Sequence, residues 1–209
     1  MSLKYDKFQS EFNVSRETID SLKQYHDLLI LWAKRINLIS LNTIDEIWER
    51  HFANSARFLS YFEDKLPQSI IDFGSGAGFP GLIIAALLKD KELSPNIKLV
   101  DENHKRIAFL REASRLLGVK VELENSKIEN VIPQKYEVVT ARAFAPLDKL
   151  LNYSHPYAQL GARLVFLKGI DVDTEIETAK LNWKFNNTIK HFNNESCIIE
   201  ISELENVAR

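Results

Sequence analysis

The 209-residue sequence contains a single cysteine, Cys197, and this excludes a disulfide framework or a cysteine-rich zinc site. Cys197 precedes two isoleucines, so we expect it to be a small buried strand residue without a redox role. The five histidines are scattered without the spacing of metal ligands. The sequence therefore predicts no metal centre.

Long apolar runs are also absent, and none approaches the length needed to cross a membrane. The first six residues, MSLKYD, lack the apolar core of a signal peptide, so we expect a cytoplasmic protein with no membrane partner. The formal net charge is −2, which means that any nucleic-acid binding must depend on a local basic face.

Glycine is scarce, but three of the seven glycines stand at alternate positions, Gly74, Gly76 and Gly78. An apolar run at 70–73 precedes them, Pro80 suits the first turn of a helix, and residues 82–88 form the helix body. Glycines let the backbone turn sharply and approach a ligand closely. A strand, a glycine loop and a helix in this order are typical of the ligand site of an open α/β sheet.

The glycine spacing indicates which ligand this loop binds. The dinucleotide fingerprint G-x-G-x-x-G fails because Phe79 stands where its third glycine belongs. Asp72 before the loop would offset the sulfonium and ammonium charges of S-adenosylmethionine, and Asp101 ends the next strand, where it can accept both ribose hydroxyls. These two carboxylates favour S-adenosylmethionine, and a tight turn without a ligand is the alternative.

Residues 1–66 are predicted to form a helical cap, and residues 67–209 a second domain. Ser15 can cap a helix with an apolar face, and Thr43 to Glu46 has the spacing of a capping box for a second amphipathic helix. No flexible linker separates the two parts, so we expect the cap to pack on the second domain. The apolar positions of the two helices are Ile19, Leu22, Tyr25, Leu29, Trp32 and Ile36, then Trp48, Phe52, Ser55 and Leu59.

The second domain reads as alternating strands and helices, which predicts an α/β fold. Strands are predicted at 96–101, 119–123, 136–140 and 162–168, helices at 103–117, 147–155 and 172–181, and a final antiparallel hairpin at 183–192 and 196–202 around residues 193–194. Gly118 is a natural residue to follow the helix at 103–117. Parallel strands that end in a hairpin match the class I S-adenosylmethionine-dependent methyltransferase fold, a Rossmann-like, mostly parallel seven-stranded sheet.

Two groups of cations are candidates for contact with a substrate. The helix at 103–117 carries Lys105 and Arg106, which either contact phosphate or belong to a solvated face. Arg142 follows the strand at 136–140 at the mouth of the crevice, where it is either a functional cation or part of a surface ion pair.

Four ordered blocks resemble the bacterial small-subunit rRNA methyltransferase G family, also called glucose-inhibited division protein B. They are residues 72–81, 99–110, 140–145 and 167–169, and the upstream segments 32–38 and 51–55 also match that family. The resemblance covers roughly residues 25–200. It implies methyl transfer from S-adenosylmethionine to N7 of a guanine in the 530 loop of 16S rRNA, guanine 527 in ribosomal numbering, by a monomeric cytoplasmic enzyme that acts on rRNA or the 30S subunit.

The resemblance also implies roles for particular residues. Arg142 and Lys168 would position RNA and cofactor without a general base. The implied cofactor contacts are Asp72, Gly74, Gly76, Gly78, Phe79, Asp101, Ile128, Glu129 and Arg142, and the implied RNA contacts are Lys105, Arg106, Lys127, Arg142 and Lys168.

The chain departs from the family pattern at three positions. Lys127 replaces an arginine and loses its bidentate fork, the segment Asn37-Leu-Ile-Ser40 replaces Asn-Leu-Thr, and Asn54 replaces an aspartate. Because Asn54 keeps the size and loses the charge, we expect it to support helix packing.

Other functions remain open. The chain could methylate a small molecule, or bind S-adenosylmethionine without catalysis as a ribosome-assembly factor. Methylation of an exocyclic adenine nitrogen is disfavoured because no Asn/Asp-Pro-Pro-Tyr segment is present, and cytosine C5 chemistry is disfavoured because Cys197 lies far in sequence from the ligand loops.

Overall fold

The structure is a computed structural model that describes residues 3–62, 65–193 and 195–207. Its seven α-helices are α1 Leu3–Phe12, α2 Arg16–Ala33, α3 Asn54–Ser60, α4 Gly81–Asp90, α5 His104–Leu117, α6 Leu147–Gln159 and α7 Val172–Ala179. Its seven strands are β1 Ser69–Phe73, β2 Asn96–Val100, β3 Glu122–Glu124, β4 Val138–Ala141, β5 Arg163–Lys168, β6 Trp183–Asn193 and β7 Ser196–Asn206.

The strands form one mixed sheet in the order β3-β2-β1-β4-β5-β7-β6. Strands β1 to β5 are parallel, and β7 runs antiparallel to both β5 and β6. The predicted class I methyltransferase fold is therefore confirmed. Since β1 lies between β2 and β4, the chain reverses its direction of travel across the sheet at β1, and a crevice opens at the carboxyl ends of these strands.

The two faces of the sheet carry separate apolar cores. Successive residues of a strand point to opposite faces, so Ile70 belongs to one core and Ile71 to the other. The first core joins the N-terminal helices to α4 and α5, as when Tyr25 contacts both Phe52 and Phe109. The second core lies under α6, α7 and the hairpin, and it includes the buried Cys197 of β7, as predicted.

Helix α2 begins where the sequence predicted. The Ser15 side chain accepts a hydrogen bond from the Thr18 backbone N–H. The hydroxyl groups of Ser15 and Thr18 both donate to the Asp90 carboxylate at the end of α4. The predicted apolar face is buried at Ile19, Leu22, Tyr25 and Leu29. This face attaches the N-terminal helices to α4 and α5.

The predicted capping box at Thr43 is wrong. Residues Leu41–Glu46 form a 3₁₀ helix, Ile47–Ala53 form a π-helix, and only Asn54–Ser60 is α-helical. The Thr43 hydroxyl donates to Ser40 O at 2.8 Å and contacts His51 Nε2, so it does not cap a helix. A π-helical segment changes the direction of side chains, and such segments occur often at functional sites.

Some predicted boundaries were also wrong. The third strand starts at Glu122 instead of residue 119. Gly118 has a left-handed conformation at the end of α5, and the Val119 N–H still donates to Ser114 O, so residue 119 belongs to the end of the helix. The fourth strand is displaced by two residues at its start, the last strand continues to Asn206, and α1 was not predicted. Asn194, in the predicted hairpin turn, lies outside the described residues.

Within the described part of the chain, no helix is both long and apolar enough to cross a membrane.

Candidate active site

The glycine loop joins β1 to α4 at the carboxyl end of the sheet. Gly74 has φ +64°, and a Cβ atom there would collide with the Phe144 ring. Gly76 has φ +54°, and its N–H donates to Asp101 Oδ2 at 2.9 Å. The loop therefore depends on glycine for its backbone conformation and for its close approach to neighbouring groups.

Asp101 follows β2 and holds the loop to the start of α5. Its buried carboxylate accepts from Gly76 N–H through one oxygen and from Asn103 N–H, also at 2.9 Å, through the other. Arg106 Nη1 lies 3.5 Å from Oδ2. Asn103 then caps α5, because its side chain accepts from the backbone N–H groups of Lys105 and Arg106. Each carboxylate oxygen keeps a lone pair for a further donor.

A cavity of about 310 Å³ opens beside Asp101. The structure brings most of the predicted adenosine contacts to this cavity, with Ile128 buried in a short 3₁₀ turn and Glu129 accepting from the Tyr153 hydroxyl at 3.1 Å. The lining residues are Gly74, Val100, Asp101, Glu102, Arg106, Ser126, Lys127, Ile128, Glu129, Ala143, Phe144 and Tyr153. Of these, Val100, Glu102, Ser126, Ala143, Phe144 and Tyr153 were not predicted as site residues.

A second cavity, of about 260 Å³, adjoins the first on the side of the N-terminal helices. Gly74, Arg106 and Ala143 line both cavities, so the two form one continuous cleft. The second cavity is also lined by Gly76, Phe79 and Arg142, which were predicted as site residues, and by residues 37–40 and His51, which were not. The segments 32–38 and 51–55 carried a signal for these residues, because both belong to the family resemblance.

Asp72 lies beneath the glycine loop and is fully buried. Its Oδ2 accepts from the Gly81 N–H at 3.2 Å, while Oδ1 has no hydrogen-bond partner among the described residues. Burial raises the pKa of Asp72 well above its ordinary value. The site therefore contains a carboxylate oxygen that is not satisfied by the protein.

Arg142 follows β4, and its guanidinium group is held by the π-helical segment. It donates to Arg50 O at 2.9 Å and to His51 Nδ1 at 2.8 Å, with a longer contact to His51 O, and it lies 5.7 Å from the centre of the Phe79 ring. Burial, and secondarily the charge of Arg50, lower the pKa of Arg142 to about 10, so it remains a cation at neutral pH.

Lys168, at the end of β5, lies in a larger cavity of about 750 Å³ that it shares with Arg50, Arg142 and Phe144. Its ammonium group is buried, 2.5 Å from Glu175 Oε2, and it donates to Ala145 O at 3.1 Å. Glu175 also accepts from the Leu147 N–H. Lys168 thus holds the chain after Arg142 in place, and its predicted contact with RNA stays a prediction.

Among the predicted RNA contacts, Arg106 has partners within the chain, because it donates to Asn37 O at 3.0 Å and lies near Asp101. Lys105 and Lys127 are exposed and form no ion pair within the described residues. Asn54 is buried, donates to Arg50 O and accepts from Arg57, which agrees with the expected role in helix packing.

The sheet order, the glycine loop and the acidic residue after β2 together define a class I methyltransferase fold. Two solved structures share the fold, a Podospora anserina methyltransferase bound to S-adenosylhomocysteine and the magnesium protoporphyrin IX methyltransferase of Synechocystis PCC 6803. The first has a TM-score of 0.63 at 14% identity and covers 88% of each chain. The second has a TM-score of 0.57 at 13% identity and covers 96% of this chain and 97% of that one.

The family model for rRNA small subunit methyltransferase G, GidB, matches residues 18–200. Ribosomal RNA small subunit methyltransferase G of Paramagnetospirillum magneticum is 37% identical over 178 residues, which cover 85% of this chain and 84% of the relative. The Rhodospirillum rubrum protein of the same name is 39% identical over 178 residues, with 85% and 86% coverage. The chain belongs to the rRNA small subunit methyltransferase G family.

Proposed function

We propose that the protein transfers a methyl group from S-adenosylmethionine to N7 of a guanine in the 530 loop of 16S rRNA, guanine 527 in ribosomal numbering. The observation that carries this proposal is the continuous cleft, whose lining brings together the glycine loop, Asp101 and Arg142. Family membership supports the same reaction. The acceptor is the free rRNA or the 30S subunit, and the protein acts as a cytoplasmic monomer.

The residues present fit S-adenosylmethionine. The glycine loop has no side chain at Gly74 and Gly76, where a Cβ atom would restrict the approach of a ligand, and Asp101 can accept the two ribose hydroxyls. Ile128 and Glu129, which line the cavity beside Asp101, would contact the adenine, while Gly78 and Phe79 complete the loop. Asp72 lies beneath the loop, lines neither cavity and has a raised pKa, so it would support the cofactor site through its hydrogen bond to the loop and, when ionised, through its charge. The cofactor supplies an electrophilic methyl group on a sulfonium.

The chemistry requires no general base. Guanine N7 already presents a lone pair, so the nucleophile carries no proton that must be removed. The ionisable groups around Arg142 agree with this, because burial lowers the pKa of His51 to about 3 and that of Arg142 to about 10. Arg142 and Lys168 position RNA and cofactor, and the reaction depends on alignment of N7 with the methyl group and on exclusion of water.

Electrostatic attraction of the rRNA backbone comes from cations around the mouth of the cleft. Arg106 and Lys127 line the cleft, and Lys105 lies beside Arg106 in the first turn of α5. We assign Lys34 and Arg35 to the same rim because they lie at the end of α2 just before Asn37, which lines the cleft and accepts from Arg106. Lys34 and Arg35 are exposed and form no ion pair with the described residues. They extend the basic face that the sequence predicted.

The rim is tested by the salt dependence of RNA binding. Replacing Lys34 and Arg35 with alanine should weaken binding and reduce the slope of log K against log salt by about one for each phosphate that the protein no longer neutralises. The control replaces Lys91 and Lys120, exposed cations that follow α4 and the end of α5 at the opposite edge of the sheet. Equal slopes in the two double variants would remove Lys34 and Arg35 from the interface.

The division into a helical cap at 1–66 and a methyltransferase domain at 67–209 forms part of the proposal. The shared core of the N-terminal helices, α4 and α5 supports a cap that forms one wall of the cleft. His51 and residues 37–40 contribute that wall.

Transfer of a labelled methyl group to different acceptors tests the reaction. We expect incorporation into 16S rRNA or 30S subunits and none into 50S subunits or free guanosine monophosphate. Transfer to the mononucleotide alone would indicate a small-molecule methyltransferase. Tight binding of S-adenosylmethionine without transfer to any of these acceptors would indicate a non-catalytic assembly factor.

A further inference from the structure

His51 lies in the π-helical segment at the centre of a one-way chain of hydrogen bonds. Its Nδ1 is 2.8 Å from Arg142 Nη2, and because a guanidinium group can only donate, Nδ1 must be unprotonated. The ring hydrogen is then on Nε2, which lies 3.2 Å from Thr43 Oγ1. Thr43 in turn donates to Ser40 O at 2.8 Å. The surroundings therefore select one neutral tautomer of His51.

Aromatic stacking holds the same ring against the glycine loop. The His51 and Phe79 rings have centroids 5.1 Å apart and planes only 5° from parallel. The Arg142 guanidinium lies over the same Phe79 ring. His51 thus connects the N-terminal helices, the glycine loop and Arg142 at the cleft.

The acceptors of the Arg142 guanidinium among the described residues are Arg50 O, His51 O and His51 Nδ1, which all belong to two adjacent residues. The histidine nitrogen is the one side-chain acceptor of the three. We propose that His51 is a positioning residue for the methyl-transfer reaction, which holds the Arg142 guanidinium at the acceptor side of the cleft through its neutral Nε2–H tautomer. This inference rests on the proposed function, in which Arg142 orients the RNA base.

The electrostatics of the site keep His51 in its accepting state. Burial lowers the pKa of His51 to about 3, and the charged groups that face it, Arg142 after β4 and Arg50 on its own segment, both oppose protonation. His51 therefore stays neutral at any pH at which the enzyme works. It differs in this from an exposed histidine, which titrates near neutral pH.

Two substitutions separate the acceptor function from ring packing. His51→Phe keeps an aromatic ring to stack on Phe79 but removes the acceptor, whereas His51→Asn loses the ring and keeps an oxygen near the place of Nδ1. We expect His51→Phe to lower kcat about tenfold at saturating RNA and cofactor, with cofactor affinity changed less than about twofold. His51→Asn should recover most of kcat. If the His51→Phe variant retains full kcat, or if the kcat of His51→Asn is as low as that of His51→Phe, His51 does not act as the acceptor.

A double-mutant cycle tests whether His51 acts through Arg142. In an Arg142→Ala background, His51→Phe should reduce kcat less than about twofold further, because the group that His51 positions is already gone. Independent, multiplicative losses would overturn the proposal and assign His51 a purely structural role.

A spectroscopic measurement separates failure of this inference from failure of the proposed function. Nitrogen NMR of the histidine side chains in the wild-type protein should show His51 as the Nε2–H tautomer, unchanged from about pH 5 to pH 8. This result does not depend on the RNA substrate. The Nδ1–H tautomer, or titration in that range, would refute the inference even if 16S rRNA is methylated, whereas absence of methylation with the Nε2–H tautomer present would refute the proposed function.

Discussion

Replacing Asp101 with asparagine tests the cofactor site by a change of one functional group. In the wild-type protein, the two carboxylate oxygens accept separately from the Gly76 and Asn103 N–H groups, each at 2.9 Å. An asparagine side chain has the same shape but one acceptor oxygen and one NH₂ group. In either orientation, one of the two backbone donors would face the NH₂ group and lose its partner.

The size of the effect on binding follows from the two ribose hydroxyls, because an NH₂ group cannot accept from the hydroxyl that faces it. A hydrogen bond to a charged group contributes about 1.5–3 kcal/mol, and a buried donor without a partner has a comparable cost. Asp101→Asn should therefore weaken binding of S-adenosylhomocysteine by about ten- to a hundredfold.

Calorimetric titration with S-adenosylhomocysteine, which is the reaction product, measures this affinity without turnover. The matched control is Glu102→Gln, which removes a charge from the neighbouring exposed carboxylate that also lines the cavity, and whose affinity should change less than about twofold. Unchanged affinity in a folded Asp101→Asn protein would refute the assignment. A larger loss in Glu102→Gln would transfer the ribose contact to Glu102.

Three further predictions concern the same cleft. Asp72→Asn should melt at a higher temperature than the wild type at pH 7 but not at about pH 4. Burial raises the pKa of Asp72, so the folded state binds this proton more tightly than the unfolded state and loses stability as the pH rises above the unfolded pKa. An equal difference in melting temperature at both pH values would contradict this. Gly74→Ala should abolish cofactor binding in titration calorimetry, because a φ of +64° costs an alanine about 1–2 kcal/mol and its Cβ would collide with the Phe144 ring. Normal affinity would show that the loop tolerates a side chain. The single-turnover rate at saturating RNA should be nearly flat from about pH 6 to 9, and a tenfold rise per pH unit would require an ionising base.

Local sequence signals predicted the parts of the fold whose partners are near in the chain. The strand before Gly74 is a short apolar segment, interrupted only by Asp72, that ends in glycines. Helix α5 carries both of its end signals, Asn103 and Gly118. The carboxylate of Asp101 could be placed because parallel strands end at the same edge of a sheet.

Contacts between distant residues explain what the sequence did not reveal. The Arg142 guanidinium finds its acceptors 91 and 92 residues earlier in the chain, so its geometry could not be inferred from the residues around it. Thr43 failed for a local reason, because its spacing to Glu46 suggested a helix cap although its hydroxyl is used by Ser40 and His51, only three and eight residues away. The π-helical turn at 47–53 is thus tied to Arg142 by tertiary contacts, and local propensity did not predict it.

Nucleoside analysis of the methylated product tests the central claim most directly. Small subunits that lack the modification are incubated with the protein and labelled S-adenosylmethionine, and the labelled nucleotide is then located by cleavage of the RNA at N7-methylguanine. The account predicts a single labelled N7-methylguanosine, at guanine 527 of the 530 loop. Label on another atom or in another region of the 16S rRNA would contradict it.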